Sequence, residues 1–259
     1  SAKKASEVQM RRALQQEKEL SELRARFVSI ASHQFRTPLS VIRSNVELLE
    51  EIYGQAIRPD RAHKFLSIHD RIEREIDRLI HLMDDILIMG KLNAGKVAPV
   101  LESIHLEEVI KSIWDREFIQ VDKSREAILY TEGKRRPVWV DVSLFEHTLV
   151  NLLTNAYKYS EGARAPEVHT LYTDQAVKIS VIDFGIGVLA EDLPYLFDSF
   201  YRGSNTQQIP GTGLGLSIVK EFVEINQGTI EVDSELGEGS IFTITFPLVK
   251  MKDYAGTLD

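Results

Sequence analysis

A chain of 259 residues, 43% of them hydrophobic, has material for about two domains, each with its own core. A formal net charge of -8 argues against broad binding to a phosphate backbone, so no nucleic-acid partner is expected; the short basic run Lys134, Arg135, Arg136 ends at Pro137 and reads as a solvated loop. There is no cysteine, which removes disulfides, thiolate nucleophiles and cysteine-ligated zinc, and fits a reducing compartment.

The N-terminus is polar and charged, without a signal-peptide pattern, and reads as the continuation of an upstream helix. No apolar run approaches the roughly 18 residues that a membrane span needs. Any membrane contact is expected only through a region upstream of this chain, and the chain itself is expected in the cytoplasm. From about Val8 to Tyr53 the pattern predicts one long helix. Leu20, Leu23, Phe27 and Ile30 recur at heptad spacing. The more polar stretch before Leu20 predicts a weak coiled coil. The apolar line continues through Ala31, Phe35, Leu39, Ile42, Val46 and Leu49. Gly54 and Pro59 mark a turn, and Asp60 is a helix N-cap candidate.

A second helix follows, with Phe65, Ile68, Ile72, Ile76, Leu79, Met83 and Ile86 on one stripe. Gly90, Asn93, Ala94 and Gly95 close it. Two such helices form an antiparallel hairpin, but two helices cannot enclose a core. Two hairpins can, so a homodimer with a four-helix bundle is expected.

Beyond Gly95 the pattern changes. Helices are expected at Leu106–Ile119, Leu144–Tyr159 and Leu214–Asn226. Strands are expected at Ala127–Tyr130, Val138–Val140, Glu167–Tyr172, Val177–Ile182, Thr229–Ser234 and Ser240–Pro247. The mixture predicts a two-layer α/β sandwich of the α+β class. The resulting division is a linker helix (1–26), a helical hairpin (27–94), a second domain (95–249) and a polar tail (250–259).

Candidate chemistry lies in both halves. Asn151, Asn155 and Lys158 share one helix face, while Leu149, Leu152, Leu153 and Ala156 lie mainly on another. An amide oxygen suits Mg²⁺, which binds few protein groups, and a lysine one turn on can meet a phosphate. Taken alone, the same face could equally be ordinary solvent-exposed surface. Asp183 ends an apolar run and precedes Gly185 and Gly187. A carboxylate there can accept the exocyclic amine of adenine. Gly211, Thr212, Gly213, Leu214 and Gly215 run directly into a helix, which offers backbone N–H groups to phosphate.

Together these residues resemble the ATP-binding domain of sensor histidine kinases, within the wider ATPase group that includes gyrase, the Hsp-type chaperones and the MutL mismatch-repair proteins. The resemblance spans about Ala31 to Pro247. It implies ATP and Mg²⁺ as cofactors, with Asn155 as the metal ligand, Lys158 on phosphate, Tyr159 near the adenine and Asp183 as its anchor. Gly185 and Gly187 look like the first glycine box, Phe197 to Phe200 like the phenylalanine box, and Gly211 to Gly215 like the second glycine box. Arg202 is then expected to reach the terminal phosphate, and Phe184–Gly213 to form a mobile lid. Where hydrolysing relatives carry a glutamate that activates water, this chain has Asn151, which cannot take a proton at neutral pH.

The nucleophile is expected upstream. His33 lies about 200° around the helix from Phe35, away from the apolar seam. Pro38, lacking an N–H, cannot bond the carbonyl of Gln34 and should kink the helix. Ser32 to Leu39 resembles the histidine box of the dimerisation and phosphotransfer domain of these kinases. The resemblance makes His33 the phosphate acceptor and donor to an aspartate of a response-regulator receiver domain. The family usually places an acid after the histidine as base; here it is Gln34, so a slow autokinase is expected. Thr37 implies, by the same resemblance, phosphatase activity toward the regulator. Val41, Ser44, Asn45 and Leu48 continue its face and are expected to dock the receiver. Two other readings stay open: a helical scaffold that senses ATP without transferring phosphate, and an ATP hydrolase.

Overall fold

In a computed structural model, the described residues are 35, 37–49, 62–93, 97–118, 125–160, 162–206, 208–209 and 211–248. The chain divides into two compact units, 1–87 and 88–259. The cut falls inside a helix that runs unbroken to Asn93.

The first unit carries helix α1 (37–49) and most of helix α2 (Ala62–Asn93). Within it Pro38, Ile68 and Leu82 are buried. The apolar stripe predicted along α2 is only partly covered within one chain. Ile76, Ile80, Met83 and Leu87, spaced four, three and four, are 43–60% exposed. Asn45 departs from expectation. It was placed on an exposed stripe with Val41 and Ser44, yet it is buried and its Nδ2 donates to the Val41 carbonyl at 2.8 Å. Bonding back one turn satisfies the amide within its own helix and lets it turn inward. The expected coiled coil (1–26), His33, Gln34 and the Asp60 cap lie outside the described residues.

The second unit opens with strand β1 (Glu102–Ile104) and helix α3 (Leu106–Glu117). Strands β2 (Ile128–Glu132) and β3 (Val138–Val140) lead to helix α4 (Val142–Tyr159). Strands β4 (Glu167–Tyr172) and β5 (Ala176–Asp183) follow, then a long irregular segment. Helix α5 (Gly215–Ile225) and the hairpin of β6 (Thr229–Glu235) and β7 (Gly239–Pro247) complete it.

Five strands form one sheet in the order β2-β4-β5-β7-β6. All its pairings are antiparallel except β2 with β4. A parallel pair needs a crossover, and β3 with α4 supplies it. β1 and β3 make a separate antiparallel pair. Alternate residues Val177, Ile179, Val181 and Asp183 of β5 turn to one buried face, as do Phe242, Ile244 and Phe246 of β7. Leu149, Leu152, Leu153 and Ala156 of α4 join them in one core with Ile110 and Ile113 of α3 and Val219 and Val223 of α5. This is the two-layer sandwich read from the sequence. It leaves the C-terminal turns of α4, the end of β5 and the start of α5 to build a site.

Candidate active site

Helix α4 begins at Asp141, whose Oδ1 accepts from the Leu144 N–H at 3.1 Å and the Ser143 hydroxyl at 2.7 Å. Its Oδ2 accepts from the Val100 N–H at 2.8 Å. The next-but-one helix turns carry the candidate residues. Asn151, Asn155 and Lys158 are half-buried on one face, while their apolar neighbours are core. The Asn155 amide donates its Nδ2 to Asn151 Oδ1 at 3.1 Å. That bond uses its nitrogen and turns its carbonyl oxygen the other way, an oxygen donor of the kind Mg²⁺ takes.

The second glycine loop closes on this helix. A Cβ on Gly211 would sit 3.0 Å from Lys158 Nζ. A Cβ on Gly215 would sit 2.6 Å from Asn151 Nδ2. The start of α5 therefore abuts the asparagine pair, and only glycine fits. Thr212 Oγ1 accepts from the Leu214 N–H at 3.2 Å, and Leu214 is fully buried, which anchors the loop.

Lys158 Nζ lies 3.4 Å from the Tyr159 hydroxyl and 4.8 Å from its ring centroid. Burial pushes the Tyr159 hydroxyl above its ordinary value, and the nearby Arg202 charge works against that. Tyr159 thus lies beside Lys158 and within the field of Arg202, while its backbone carbonyl accepts from the Ile186 N–H at 3.2 Å. Its ring belongs as much to the cationic end of the site as to the adenine end expected for it.

Asp183 ends β5 buried, with Oδ1 accepting from the Gly185 N–H at 2.9 Å. Burial raises its carboxyl above the ordinary carboxylate value; the bonds from Gly185 and Ser240 only partly offset that. The first glycine loop is fixed on both sides. Gly187 has φ 63° and packs on the Glu235 carbonyl, too tightly for any side chain. The Val188 N–H donates to Ser234 Oγ at 3.0 Å.

The phenylalanine segment is tied into the fold at both of its aromatic residues. Phe197 packs against the core. Phe200 adopts φ 67°, an unusual conformation for an aromatic residue, and its N–H donates to the Gly213 carbonyl at 2.8 Å. Arg202 Nη2 donates to the Thr206 carbonyl at 2.7 Å and the Ile209 carbonyl at 2.5 Å.

Sequence reasoning took 184–213 as a mobile lid and missed what organises it. Buried Asp192 accepts from the Tyr201 hydroxyl at 2.6 Å, the Ser204 N–H at 2.8 Å and the Ser204 hydroxyl at 3.2 Å. Asn205 Nδ2 donates to the Gly187 carbonyl at 3.0 Å. The usable signal was an aspartate two residues before Pro194, a turn-forming pattern. Arg125 was missed too; its Nη2 donates to the Ser160 carbonyl at 2.8 Å, capping α4 just past Lys158 and Tyr159. Nothing in its sequence surroundings marks it. Of the upstream candidates, Thr37 is exposed on α1, while His33 and Gln34 are outside the described residues.

Two glycine loops, an asparagine pair with a lysine one turn on, and a buried aspartate, on a helix-covered mixed sheet, are the parts of a nucleotide-binding domain of the ATPase type. Residues 140–250 match the family model described as "Histidine kinase-, DNA gyrase B-, and HSP90-like ATPase", and residues 23–95 match the "His Kinase A (phospho-acceptor) domain". The chain belongs to the sensor histidine kinases and carries their catalytic core. It is 33% identical over 236 residues to the sensor histidine kinase WalK of Bacillus subtilis (strain 168), covering 90% of this chain and 38% of that protein. The chain thus spans about two fifths of the length of that curated relative. Its fold matches histidine kinase ThkA in complex with the response regulator protein TrrA, with TM-score 0.66, 19% identity, and coverage of 90% of this chain and 64% of that one. It also matches full-length ShkA in complex with AMPPNP, with TM-score 0.61, 24% identity, and coverage of 86% and 45%.

Proposed function

We propose that this core is an ATP-dependent protein-histidine kinase that phosphorylates His33 and passes the phosphoryl group to an aspartate of a response-regulator receiver domain. The observation that carries the reading is the meeting of Lys158 and the Gly211–Gly215 loop at the start of α5, with the charge of Arg202 acting on Tyr159 beside them. Cations near a helix N-terminus suit a polyphosphate. Asp183, buried at the other end, offers a carboxylate to the adenine amine. The AMPPNP complex of ShkA is consistent with an adenine nucleotide as the ligand.

Neutral imidazole needs no deprotonation before attack, since its reference pKa is about 6.5. The His33 nitrogen lone pair forms the N–P bond as the bond from the γ-phosphorus to the bridging oxygen breaks, leaving ADP. Lys158 and Arg202 offset charge on the phosphoryl oxygens. Asn155 would hold Mg²⁺, which supplies further neutralisation of phosphate charge when bound. Asn151 cannot act as a base toward water, which favours transfer over hydrolysis. Gln34 can accept the second ring N–H and fix the tautomer. Thr37 supports a phosphatase activity toward the regulator, and Val41, Ser44 and Leu48 continue its face as the receiver's docking stripe. The complex of ThkA with TrrA is consistent with such a partner.

The exposed Ile76, Ile80, Met83 and Leu87 stripe favours a second copy of this chain as its cover, giving a homodimeric four-helix bundle. The division into 1–26, 27–94, 95–249 and 250–259 belongs to this reading, as does a cytoplasmic location. Among the described residues no helix is long and apolar enough to cross a membrane. Incubation with γ-labelled ATP tests the whole scheme. Acid-labile, alkali-stable label on the protein, absent from His33→Gln, is expected. Free phosphate without protein label would instead identify a hydrolase, and neither signal would leave a nucleotide sensor.

A further inference from the structure

We propose that Asp192 is a positioning residue that sets Arg202 against the terminal phosphate of the bound nucleotide. The inference rests on the kinase reading above, in which Arg202 meets that phosphate. Arg202 lies in a short stretch pinned on both sides to one carboxylate. Tyr201, just before it, donates its hydroxyl to Asp192 Oδ1 at 2.6 Å. Ser204, two residues after, donates its N–H to Oδ2 at 2.8 Å and its hydroxyl to Oδ1 at 3.2 Å. Between them Gly203 is buried; a Cβ there would lie 3.3 Å from Asp192 Oδ2 and 3.2 Å from Asn205 Oδ1, tighter than ordinary packing. The chain can thus close over the carboxylate.

The pinned stretch is in turn tied to the nucleotide loops. Asn205 Nδ2 bonds the Gly187 carbonyl, and the Phe200 N–H bonds the Gly213 carbonyl. Arg202 spends Nη2 on the Thr206 and Ile209 carbonyls, which fixes the plane of its guanidinium and, among the described residues, leaves Nε and Nη1 for a ligand. Its charge is felt at the Tyr159 hydroxyl, beside Lys158 Nζ. The Tyr201 hydroxyl and the Ser204 N–H hold the Asp192 carboxyl below its usual range, so it stays ionised and its bonds are the strong, charge-assisted kind. A carboxylate with three donors, none of them from the nucleotide, therefore fixes the backbone on either side of the one arginine in this loop.

The test uses the full chain and compares Mg-ATP with Mg-ADP affinity by calorimetry, since only ATP carries the terminal phosphate. Arg202→Ala and Asp192→Asn should each lower the ATP-to-ADP affinity ratio by about tenfold, with ADP affinity within about twofold of the parent. The double variant should be no worse than Arg202→Ala alone, because both remove one interaction. Tyr201→Phe, which deletes a single hydroxyl, should lower the ratio in the same direction and decides the matter if Asp192→Asn does not fold. Equal losses for ATP and ADP, or additive effects in the double variant, would overturn the positioning role. An unchanged ratio in Arg202→Ala would instead sink the phosphate contact on which it rests, and an effect in Arg202→Ala without one in either Asp192→Asn or Tyr201→Phe would reject Asp192 alone.

Discussion

Gly215 and Asn151 touch across the junction of α5 and α4 so closely that a Cβ on the glycine would fall 2.6 Å from one amide atom and 2.8 Å from the other. The asparagine cannot simply swing aside, because its Oδ1 accepts from Asn155 Nδ2. Gly215→Ala should therefore break the asparagine pair and shift the start of α5. We expect Mg-ATP affinity to fall about tenfold, or about 1.4 kcal/mol, by calorimetry. Unaltered affinity would mean that the asparagine pair does not shape the site.

With Asp183 as the proposed acceptor of the adenine amine, nucleotide binding depends on pH in a definite direction. Burial raises its carboxyl, so the folded state holds this proton more tightly than the unfolded chain. Its contribution to stability is present at low pH and lost as pH rises through the raised value. Adenine needs the ionised form as acceptor, so ATP affinity should run the other way. It should weaken on acidification, with a bend above the ordinary carboxylate value of 3.8. Calorimetric titrations across that range should show the bend in the parent and none in Asp183→Asn. A parent profile that is flat there would remove Asp183 as the adenine acceptor.

Much of this site was legible because it rides on periodic elements. Leu149, Leu152, Leu153 and Ala156 mark the inner face of α4, which places Asn151, Asn155 and Lys158 on another by geometry alone. The apolar run Val177–Ile182 places Asp183 at a strand end in the same way. What was hidden has no period. β1 was missed because Glu102–Ile104 is short, little buried and paired only with β3. The bonds that Asp192 and Asn205 make within the lid segment follow no sequence period and so are not legible in the sequence. Helical spacing puts Asn45 on the face of Thr37 but does not show its burial, which a bond to the Val41 carbonyl one turn back makes possible.

The uncovered stripe on α2 predicts what a charge would do there. Met83 is 52% exposed in one chain, with Ile80 and Leu87 on either side of it. If a second copy covers this face, Met83→Glu buries an unpaired carboxylate in the bundle, which costs several kcal/mol. The variant should run as a monomer in light-scattering chromatography where the parent runs as a dimer. A dimeric Met83→Glu would show that the copies meet elsewhere.

Gln34 should limit the rate of phosphorylation. A missing general base costs about 10²–10⁴ in many reactions, but neutral imidazole reduces that demand. Gln34→Glu should raise the rate of protein labelling by about tenfold, with ATP affinity unchanged. A rate that is equal or lower would show that this position has no proton to manage.

Asp141 joins three segments, and its loss should register in stability before it registers in chemistry. The carboxylate caps α4 through the Leu144 N–H and holds the Val100 N–H, while its own N–H donates to Asn226 Oδ1 at 2.7 Å, at the end of α5. Burial works to raise its carboxyl, but the bonds from Ser143, Val100 and Leu144 outweigh it and leave the group below its ordinary value. Such a group stabilises the fold above the unfolded-state value and loses that contribution as pH falls through the folded one. Asp141→Ala should cost about 2 kcal/mol at neutral pH, combining a lost cap with an unpartnered buried N–H. The difference from the parent should shrink as pH falls from the ordinary carboxylate value of 3.8 toward the lower value of the folded group. Denaturant unfolding at neutral and acid pH measures both quantities. A deficit that stays constant with pH would mean that packing around residue 141, and not its charge, holds the start of α4 in place.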